Sequence, residues 1–358
     1  MRTAYTLLLL ALVTAPLARG DPLQAEFLLL PSAQAAGTFD REAPVTQVQD
    51  ELLQADMLLT LQKGRFKFFA EYLVSDHESD LERLQLGWQL TNDTIIWVGR
   101  YHQPSSVWNH DHHHGQYLQT SVTRPDIDEW EDLGGILPQH FTGMLIESGH
   151  PAFGSWRLRT AIAGGIAPQL QADGLEPFDL LHPNFDRHTM GYQARASLHP
   201  SDFSESGFGL LVADDQLPWA GEPQTPAQVG LDHVDLRLIG AFGTYAGEKW
   251  NLQATLYHAD ARLHYTTSLV NDDFDVWYLQ AERRLPHKLT AFGRWEDSFG
   301  TGDSQYLKLF TEFARIRYTA GLRWDFVSRQ ALTLQFENTH TLNGSFDAVR
   351  LQWSAAFF

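Results

Sequence analysis

The side chains best suited to chemistry are histidines that concentrate in one segment. Of 16 histidines in the chain, seven lie between residues 102 and 150. The densest run reads Trp108-Asn-His-Asp-His-His-His-Gly115. Imidazoles beside a carboxylate are ligands that Zn²⁺, Cu²⁺ and Ni²⁺ use in proteins. One hypothesis is therefore a divalent transition-metal site, with the ligands His110, Asp111, His112, His114 and His140.

The same histidines allow two other interpretations, because their spacing matches no defined metal motif such as His-Glu-x-x-His on a helix. In the first, they are polar loop residues that bond to water or to the surrounding wall. In the second, they form a pH-dependent gate, since protonation at about pH 6.5 would add several positive charges to one loop. All three interpretations remain open at the level of sequence.

Composition and the absence of motifs exclude several function classes. The 358 residues include 26 Lys and Arg against 44 Asp and Glu, a net charge of −18, which argues against a nucleic-acid partner. The chain has no cysteine, which excludes disulfides, thiol nucleophiles and iron–sulfur sites. No Gly-x-Ser-x-Gly, Gly-x-x-x-x-Gly-Lys or His-Glu-x-x-His motif occurs, so we do not expect an enzyme.

The first twenty residues have the features of an export signal. Arg2 precedes a short apolar stretch, and Ala18 and Gly20 occupy the small-residue positions before Asp21. This order is typical of a cleaved secretory signal peptide. We therefore expect residues 1–20 to be removed and residues 21–358 to form one exported domain. No later segment offers 18 consecutive apolar residues, so we expect no membrane-spanning helix in that domain.

Apolar and polar residues alternate with a period of two in many segments. Between Trp250 and His258, one parity holds Trp, Leu, Ala and Leu, and the other holds Asn, Gln, Thr and Tyr. Several such runs reach about ten residues, and tryptophans such as Trp88, Trp97 and Trp324 lie on their apolar parity. Strands of this length that carry aromatic girdles are typical of outer-membrane barrels. The pattern predicts an all-β fold, a transmembrane antiparallel up-and-down β-barrel.

Sixteen strands are predicted, and the connections between them alternate in length. The strands cover 24–30, 52–62, 65–75, 83–91, 94–101, 141–149, 155–165, 187–199, 207–214, 232–242, 248–258, 275–284, 288–297, 314–326, 331–340 and 346–357. Tight turns such as Lys63-Gly64 alternate with longer connections at 31–51, 102–140, 166–186, 215–231, 259–274 and 298–313. An even-stranded barrel with both termini in the periplasm has this asymmetry. The longest connection is the 101–140 loop, inserted after the fifth strand.

Taken together, these features resemble the bacterial general and phosphate-selective porin superfamily. The segments Leu289-Thr-Ala-Phe-Gly-Arg-Trp-Glu296 and Tyr318-Thr-Ala-Gly-Leu-Arg-Trp-Asp325 are similar to the closing strands of such porins, and the chain ends in Phe358. The resemblance implies a barrel in the outer membrane of a Gram-negative bacterium, surrounded by its lipid. It also implies a homotrimer of diffusive pores for small hydrophilic solutes or ions. Finally, it implies that the 101–140 loop folds into the barrel and narrows it.

Charged side chains suggest how such a pore would select solutes. Strand parity predicts these basic residues on the lumen wall: Lys67, Arg157, Arg159, Arg195, Arg237, Arg294, Arg317, Arg323 and Arg350. The 101–140 loop supplies the acids Asp126, Asp128, Glu129 and Glu131. An Arg-bearing wall that faces an acidic loop would orient charged solutes, whereas wall charges that pair across strands would merely hold the lumen open.

Two functional hypotheses follow from these patterns. The first is a porin-like channel for small hydrophilic solutes, with selectivity set by the lumen arginines and the acidic loop. The second is a metal-binding outer-membrane protein, either for metal uptake or as a scaffold for a partner, in which the histidines of residues 110–114 bind the metal.

Overall fold

Sixteen long strands make up most of the molecule. The structure, a computed structural model, describes residues 22–39, 51–76, 79–112, 115–131, 134–172, 174–181, 183, 187–310 and 312–358, so the predicted signal peptide lies outside the described residues. The strands are β1 (Gln24–Phe39), β2 (Glu51–Lys63), β3 (Phe66–Ser75), β4 (Ser79–Thr91), β5 (Thr94–His102), β6 (His140–Pro151), β7 (Arg157–Ile166), β8 (Met190–His199), β9 (Gly207–Pro218), β10 (Leu231–Ala246), β11 (Trp250–Tyr265), β12 (Leu269–Leu285), β13 (Leu289–Phe299), β14 (Ile316–Val327), β15 (Gln330–His340) and β16 (Ser345–Ala355).

The strands close into a single antiparallel barrel. Each strand pairs with its neighbours in the chain, and β1 pairs with β16 to complete the circle. Within the connection after β7, Gln169–Leu170 and Leu175–Glu176 form a short separate ladder. Closure satisfies the backbone hydrogen bonds of every barrel strand without leaving an edge. The predicted sixteen-stranded up-and-down barrel is confirmed.

Connections differ sharply between the two ends of the barrel. At one end, which we call the turn end, the connections are 64–65, 92–93, 152–156, 200–206, 247–249, 286–288 and 328–329. Both described chain ends lie there, since Gln24 pairs with Gln62 and Ala355 pairs with Gln330. The other end, the loop end, carries the long connections 103–139, 167–189, 219–230 and 300–315.

One predicted long connection is wrong. β11 continues to Tyr265 and β12 begins at Leu269, so only residues 266–268 join them. Strands of 16 and 17 residues exceed the length that crosses a bilayer, about 9–11 residues. These strands therefore extend beyond the apolar band at the loop end.

The outer face of the barrel is apolar. Leu86, Leu210 and Ile239 are 58–65% exposed, and many other large apolar side chains share this surface. A protein in water rarely leaves so much apolar surface uncovered, whereas a transmembrane barrel presents such a band to lipid. Among the described residues, no helix is long and apolar enough to span a membrane.

Most of the tryptophans that the alternation assigns to the apolar face lie on the outer face of the barrel, as predicted. Trp88, Trp250, Trp295 and Trp324 are 39–47% exposed on the outer face. Trp97 is the exception, because its indole Nε1–H donates to the carboxylate of Glu147 at 2.9 Å. A buried or half-buried indole needs such a partner, which accounts for its position on the inner face.

On β10 to β12, the polarity of the two faces inverts toward the loop end. Leu236, Leu238 and Leu263 point inward and are at most 2% exposed, whereas Asp260 and Arg262 face outward. The inward side chains pack in one apolar cluster with side chains from the long connections, including Ile136, Leu175, Leu307 and Phe310. Here the barrel interior is a packed core, and the outer face is polar.

Gly99 on β5 illustrates a close approach that the barrel requires. Its φ of +134° lies in a region that other residues rarely adopt, and a Cβ at this position would lie 1.9 Å from the carbonyl oxygen of Leu84. Glycine therefore allows β4 and β5 to pair immediately before the chain enters the long loop.

Candidate functional site

Residues 103–139, which we call the lumen loop, fold into the barrel. The loop begins with a short helix, α1 (Val107–His112), and two 3₁₀ turns follow at Gln116–Leu118 and Asp126–Asp128. Trp108 of α1 is fully buried, packs edge-on against Tyr278 with ring centroids 6.1 Å apart, and donates its indole N–H to Gln119. The apolar side of the loop thus packs on the apolar inner face of β10 to β12.

Two arginines on β13 and β14 fasten the loop to the part of the wall next to β12. Arg294 donates to the carbonyl oxygens of Thr123 and Arg124, each at 2.8 Å. Arg317 donates to Asp126 at 3.1 Å and to Glu296 at 2.6 Å. In turn, Glu296 accepts the backbone N–H of Asp126 at 2.6 Å. Both guanidinium groups are buried, so they hold the loop and do not face an aqueous channel.

A second row of contacts from β14 and β15 holds the middle of the loop. Arg323 donates to the carbonyl oxygens of Tyr117 and Gln119 at 2.9 and 2.6 Å. Gln335 accepts the N–H of Val122 at 2.7 Å, and Glu337 accepts the hydroxyl of Thr123 at 2.8 Å. The wall therefore supplies donors and acceptors that match the loop backbone over several consecutive residues.

Inside the loop, buried carboxyl groups carry shifted pKa values. Asp128 accepts hydrogen bonds from Ser106 at 2.8 Å and from Tyr257 at 3.1 Å. Burial raises the pKa of Asp128 to about 7, even though these hydrogen bonds favour the charged form. Burial likewise raises the pKa of Asp126 to about 6, against the opposing effect of Arg317. Both groups therefore titrate near neutral pH while the loop is docked.

At the turn end, below the lumen loop, lies a charged cavity of about 970 Å³. Its basic lining residues are Lys67, Arg159 and Arg195. Its acidic lining residues are Asp93, Asp111, Glu147, Asp202, Glu205 and Glu282. Wall strands and the tip of the loop meet here, because Arg195 interacts with both Asp111 and Glu147. We call this space the turn-end cavity.

The predicted lumen arginines occupy three kinds of environment. Arg159 and Arg195 line the turn-end cavity. Arg157 pairs with Asp93 and Asp202 beside the tight turns. The remaining inward arginines make buried or half-buried contacts with the loop or with neighbouring acids: Arg294, Arg317, Arg323 and Arg350.

The predicted inward position of Arg237 is wrong. It faces outward with Asp214, 3.2 Å away, because its neighbours Leu236 and Leu238 fill the apolar interior. The parity rule assumes that the apolar face meets lipid, and that assumption fails on this part of β10.

The predicted loop acids lie mainly against protein. Asp126 and Asp128 make the wall and loop contacts described above, and Glu129 lies 3.4 Å from the guanidinium of Arg124. Glu131 is 2% exposed and accepts the backbone N–H of His140 at 2.8 Å. None of these four lines the turn-end cavity, as far as the described residues define it.

The structure does not bring the predicted metal ligands together. His110 lies 3.1 Å from Asp111 and 3.6 Å from Glu147. His112 packs against the Trp108 ring, and burial lowers the pKa of its imidazole. His114 lies outside the described residues. Within the described part of the chain, none of His110, Asp111 and His112 belongs to a group of three ligand side chains close enough to share an ion.

His140 instead belongs to a buried polar cluster that the sequence did not reveal. Its imidazole lies beside the imidazole of His102 and the carboxylate of Glu82. One ligand atom of each of these three residues lies within 4.8 Å of the other two. Trp130 stacks on His140 with ring centroids 5.1 Å apart, and its ring is also 5.0 Å from that of His102. The only signal in the sequence was that His102 and His140 flank the longest connection.

Comparisons with known proteins find similarity in structure alone. No protein-family profile matches the sequence, and no curated protein sequence matches it. An anion-selective porin from Comamonas acidovorans superposes with a TM-score of 0.60 at 12% identity, covering 94% of this chain and all of the other. OmpT, an outer membrane protein of Vibrio cholerae, gives 0.58 at 9% identity, covering 96% and 100%. OmpF of Salmonella typhi gives 0.56 at 12% identity, covering 94% and 98%. The chain therefore has the fold of bacterial outer-membrane porins, a closed barrel of sixteen antiparallel strands.

Proposed function

We propose that this chain is an outer-membrane channel of a Gram-negative bacterium, through which small hydrophilic solutes and ions diffuse. The observation that carries the proposal is a closed barrel that is apolar outside and encloses a charged cavity of about 970 Å³. Lipid would contact the outer face, and water would fill the cavity. The structural neighbours are named as porins and outer membrane proteins, which supports a channel rather than an enzyme.

The lumen loop would set the width of the passage. Its contacts with Arg294, Arg317 and Arg323 cover the inner face of β13 and β14. Val107 and Leu118 of the same loop line the turn-end cavity. A solute that crosses the barrel must therefore pass the loop, and the docked loop predicts a small conductance.

Charge in the turn-end cavity supports a preference for cations. Six carboxylates and three basic side chains line it, so at neutral pH with neutral histidines its formal charge is 3 − 6 = −3. A low-dielectric cavity of one sign concentrates ions of the opposite sign. We further propose that Arg159 and Arg195 together with the acids Asp111 and Glu282, which line the same cavity, orient a charged solute there.

The proposal also covers the oligomeric state of the chain and its export. A trimer form of OmpT from Vibrio cholerae is among the structural neighbours, at a TM-score of 0.56. By analogy, we propose a homotrimer, with residues 1–20 removed as the export signal. Multi-angle light scattering of the detergent-solubilised protein would measure the subunit number, and N-terminal sequencing of protein from membranes would locate the cleavage.

Planar-bilayer recording of the refolded chain tests the channel. We expect discrete current steps and, in a salt gradient, a reversal potential of the sign that cations give. Swelling of liposomes in isosmotic sugars of increasing size would measure the width of the passage. If the correctly folded barrel inserts yet carries no current from pH 5 to pH 8 at any tested voltage, the channel proposal fails.

A further inference from the structure

A buried cluster at the root of the lumen loop combines two histidines with surplus carboxylates. His102 is the last residue of β5 and His140 the first of β6, and they pair across the two strands that the loop connects. Glu82 from β4 lies beside them, with its Oε2 3.0 Å from Nε2 of His140. All three residues are at most 4% exposed.

We infer that Glu82, His102 and His140 form a binding site for one divalent first-row transition ion of the Zn²⁺ type. One ligand atom from each residue lies within 4.8 Å of the other two. Around a tetrahedral Zn²⁺, with ligand bonds of about 2.0–2.2 Å, neighbouring ligand atoms lie about 3.3 Å apart. Two imidazoles and one carboxylate are a common ligand set for such ions. Small side-chain rotations would close the remaining distance.

The surroundings of His140 have the form of an outer shell around a metal. Its Nδ1 lies 2.9 Å from Oε2 of Glu131, a carboxylate of the lumen loop. An Nδ1–H that donates to this carboxylate fixes the direction of the ring. The other ring nitrogen, Nε2, lies at hydrogen-bond distance from Glu82, so an ion held between these two atoms would replace the Nε2 proton. Glu131 is therefore a positioning residue in this inference, and it links the site to the loop.

The charge of the cluster favours a dication. Three buried carboxylates lie beside the two imidazoles, those of Glu71, Glu82 and Glu131. Two buried guanidinium groups lie in the same region, where Arg83 pairs with Glu71 and Arg100 pairs with Asp80. Glu82 and Glu131, which flank His140, can offset the charge of a bound dication. The carboxylate of Glu71 also lies beside the site, 4.0 Å from Nε2 of His102.

This site is distinct from the His110–His114 run, and it does not depend on the channel proposal. It would clamp the ends of β5 and β6 and, through Glu131, the returning limb of the loop. A second histidine group, His233, Asp235 and His264, lies half-exposed on β10 and β11 and has similar distances between its ligand atoms. That group provides a matched comparison for the buried one.

Metal binding by the refolded full-length barrel, stripped with a chelator, tests the inference. We expect one equivalent of Zn²⁺ per chain to resist dialysis, measured by plasma mass spectrometry. Substituting Glu82→Gln or His102→Ala should abolish this equivalent, whereas His233→Ala should retain it. Glu131→Gln should weaken binding about 10- to 100-fold, as outer-shell changes do. Heat-modifiable migration in gels would verify that each variant is folded.

The absorption spectrum of bound Co²⁺ reports which ligands hold the ion, in addition to the affinity measured with Zn²⁺. Bound by two imidazoles and a carboxylate, it should give visible absorption bands that the His102→Ala variant lacks. Three outcomes would overturn the inference: no tight equivalent in the wild type, a tight equivalent that survives Glu82→Gln, or one that His233→Ala removes.

Discussion

Removal of Arg317 should release the lumen loop from the wall while leaving the barrel intact. The guanidinium donates to Glu296, to Asp126 and to the carbonyl oxygen of Arg124, and it is 6% exposed. An Arg317→Ala substitution leaves the buried carboxylate of Glu296 and the half-buried carboxylate of Asp126 without this partner. The strands keep their backbone ladders, so we expect the effect to fall on the loop.

The magnitude follows from burial. Removing one member of a buried ion pair costs about 3–5 kcal/mol, because the remaining charge is left uncompensated. Arg294 still holds Glu296 at 2.8 Å and the carbonyl of Arg124 at 2.8 Å, so the lower value applies. About 3 kcal/mol corresponds to a change of about a hundredfold in the ratio of docked to released loop.

Two measurements would detect this change. Single-channel current in planar bilayers should become larger or noisier, and chymotrypsin should cut the loop faster in detergent, at residues such as Tyr117. Arg237→Ala is the control, since it breaks an ion pair of the same type that is exposed on the outer face, where such pairs contribute about 0–1 kcal/mol. If both variants match the wild type in current and in cleavage rate, the arginine does not hold the loop and our reasoning is refuted.

Three further predictions concern selectivity, pH and folding. Arg195→Ala should raise, and Glu282→Gln lower, the cation-to-anion permeability ratio by about sevenfold, because one charge at about 7 Å in water changes the energies of a cation and an anion by about RT in opposite directions. Reversal potentials that shift in the same direction in both variants would contradict this. Because burial raises the pKa of Asp128 to about 7, the docked loop binds this proton more tightly than the released loop, so docking weakens as pH rises from about 4, the pKa of a free Asp, to about 7. Wild-type current should thus increase from pH 5 to pH 7 and change little above it, and Asp128→Asn, which copies the neutral form, should remove that increase. Gly99→Ala should lower the refolding yield, measured by heat-modifiable migration, since its Cβ would lie 1.9 Å from a carbonyl oxygen.

The alternation of apolar and polar residues was enough to predict the barrel. It gave the wrong face where strands extend beyond the bilayer. On β14, Tyr318, Leu322 and Trp324 face outward and Arg317 and Arg323 inward, as the alternation predicted. On β10, the same alternation gave the wrong side for Arg237. Alternation identifies two faces, but which face meets apolar surroundings depends on what covers each. Between 231 and 238, the cover is a packed cluster of loop side chains, which no local pattern specifies.

The candidate sites were harder to predict than the fold, for a related reason. The dense run of histidines attracted a metal hypothesis, yet His110 pairs with neighbouring acids and His112 packs on Trp108. The group that does come together joins Glu82, His102 and His140, which are separated by up to 58 positions in the chain. Strand register sets that contact, and register depends on the closed barrel as a whole. Proximity in sequence was therefore a poor guide to proximity of ligands.

The arginines show why residue type alone did not identify the charges that face the cavity. Four inward arginines, Arg294, Arg317, Arg323 and Arg350, pair with four acids, Glu296, Asp126, Asp325 and Glu337. Paired ions cancel at a distance, so this wall contributes little field to a passing solute. In the proposed channel, the residues that remain to act on solutes are those of the turn-end cavity, where acids outnumber bases six to three and Arg157, outside the lining, pairs with two of the acids, Asp93 and Asp202. A barrel wall that appeared basic by its sequence thus holds the loop with neutral pairs, and the charge that remains on the lining of the cavity is acidic.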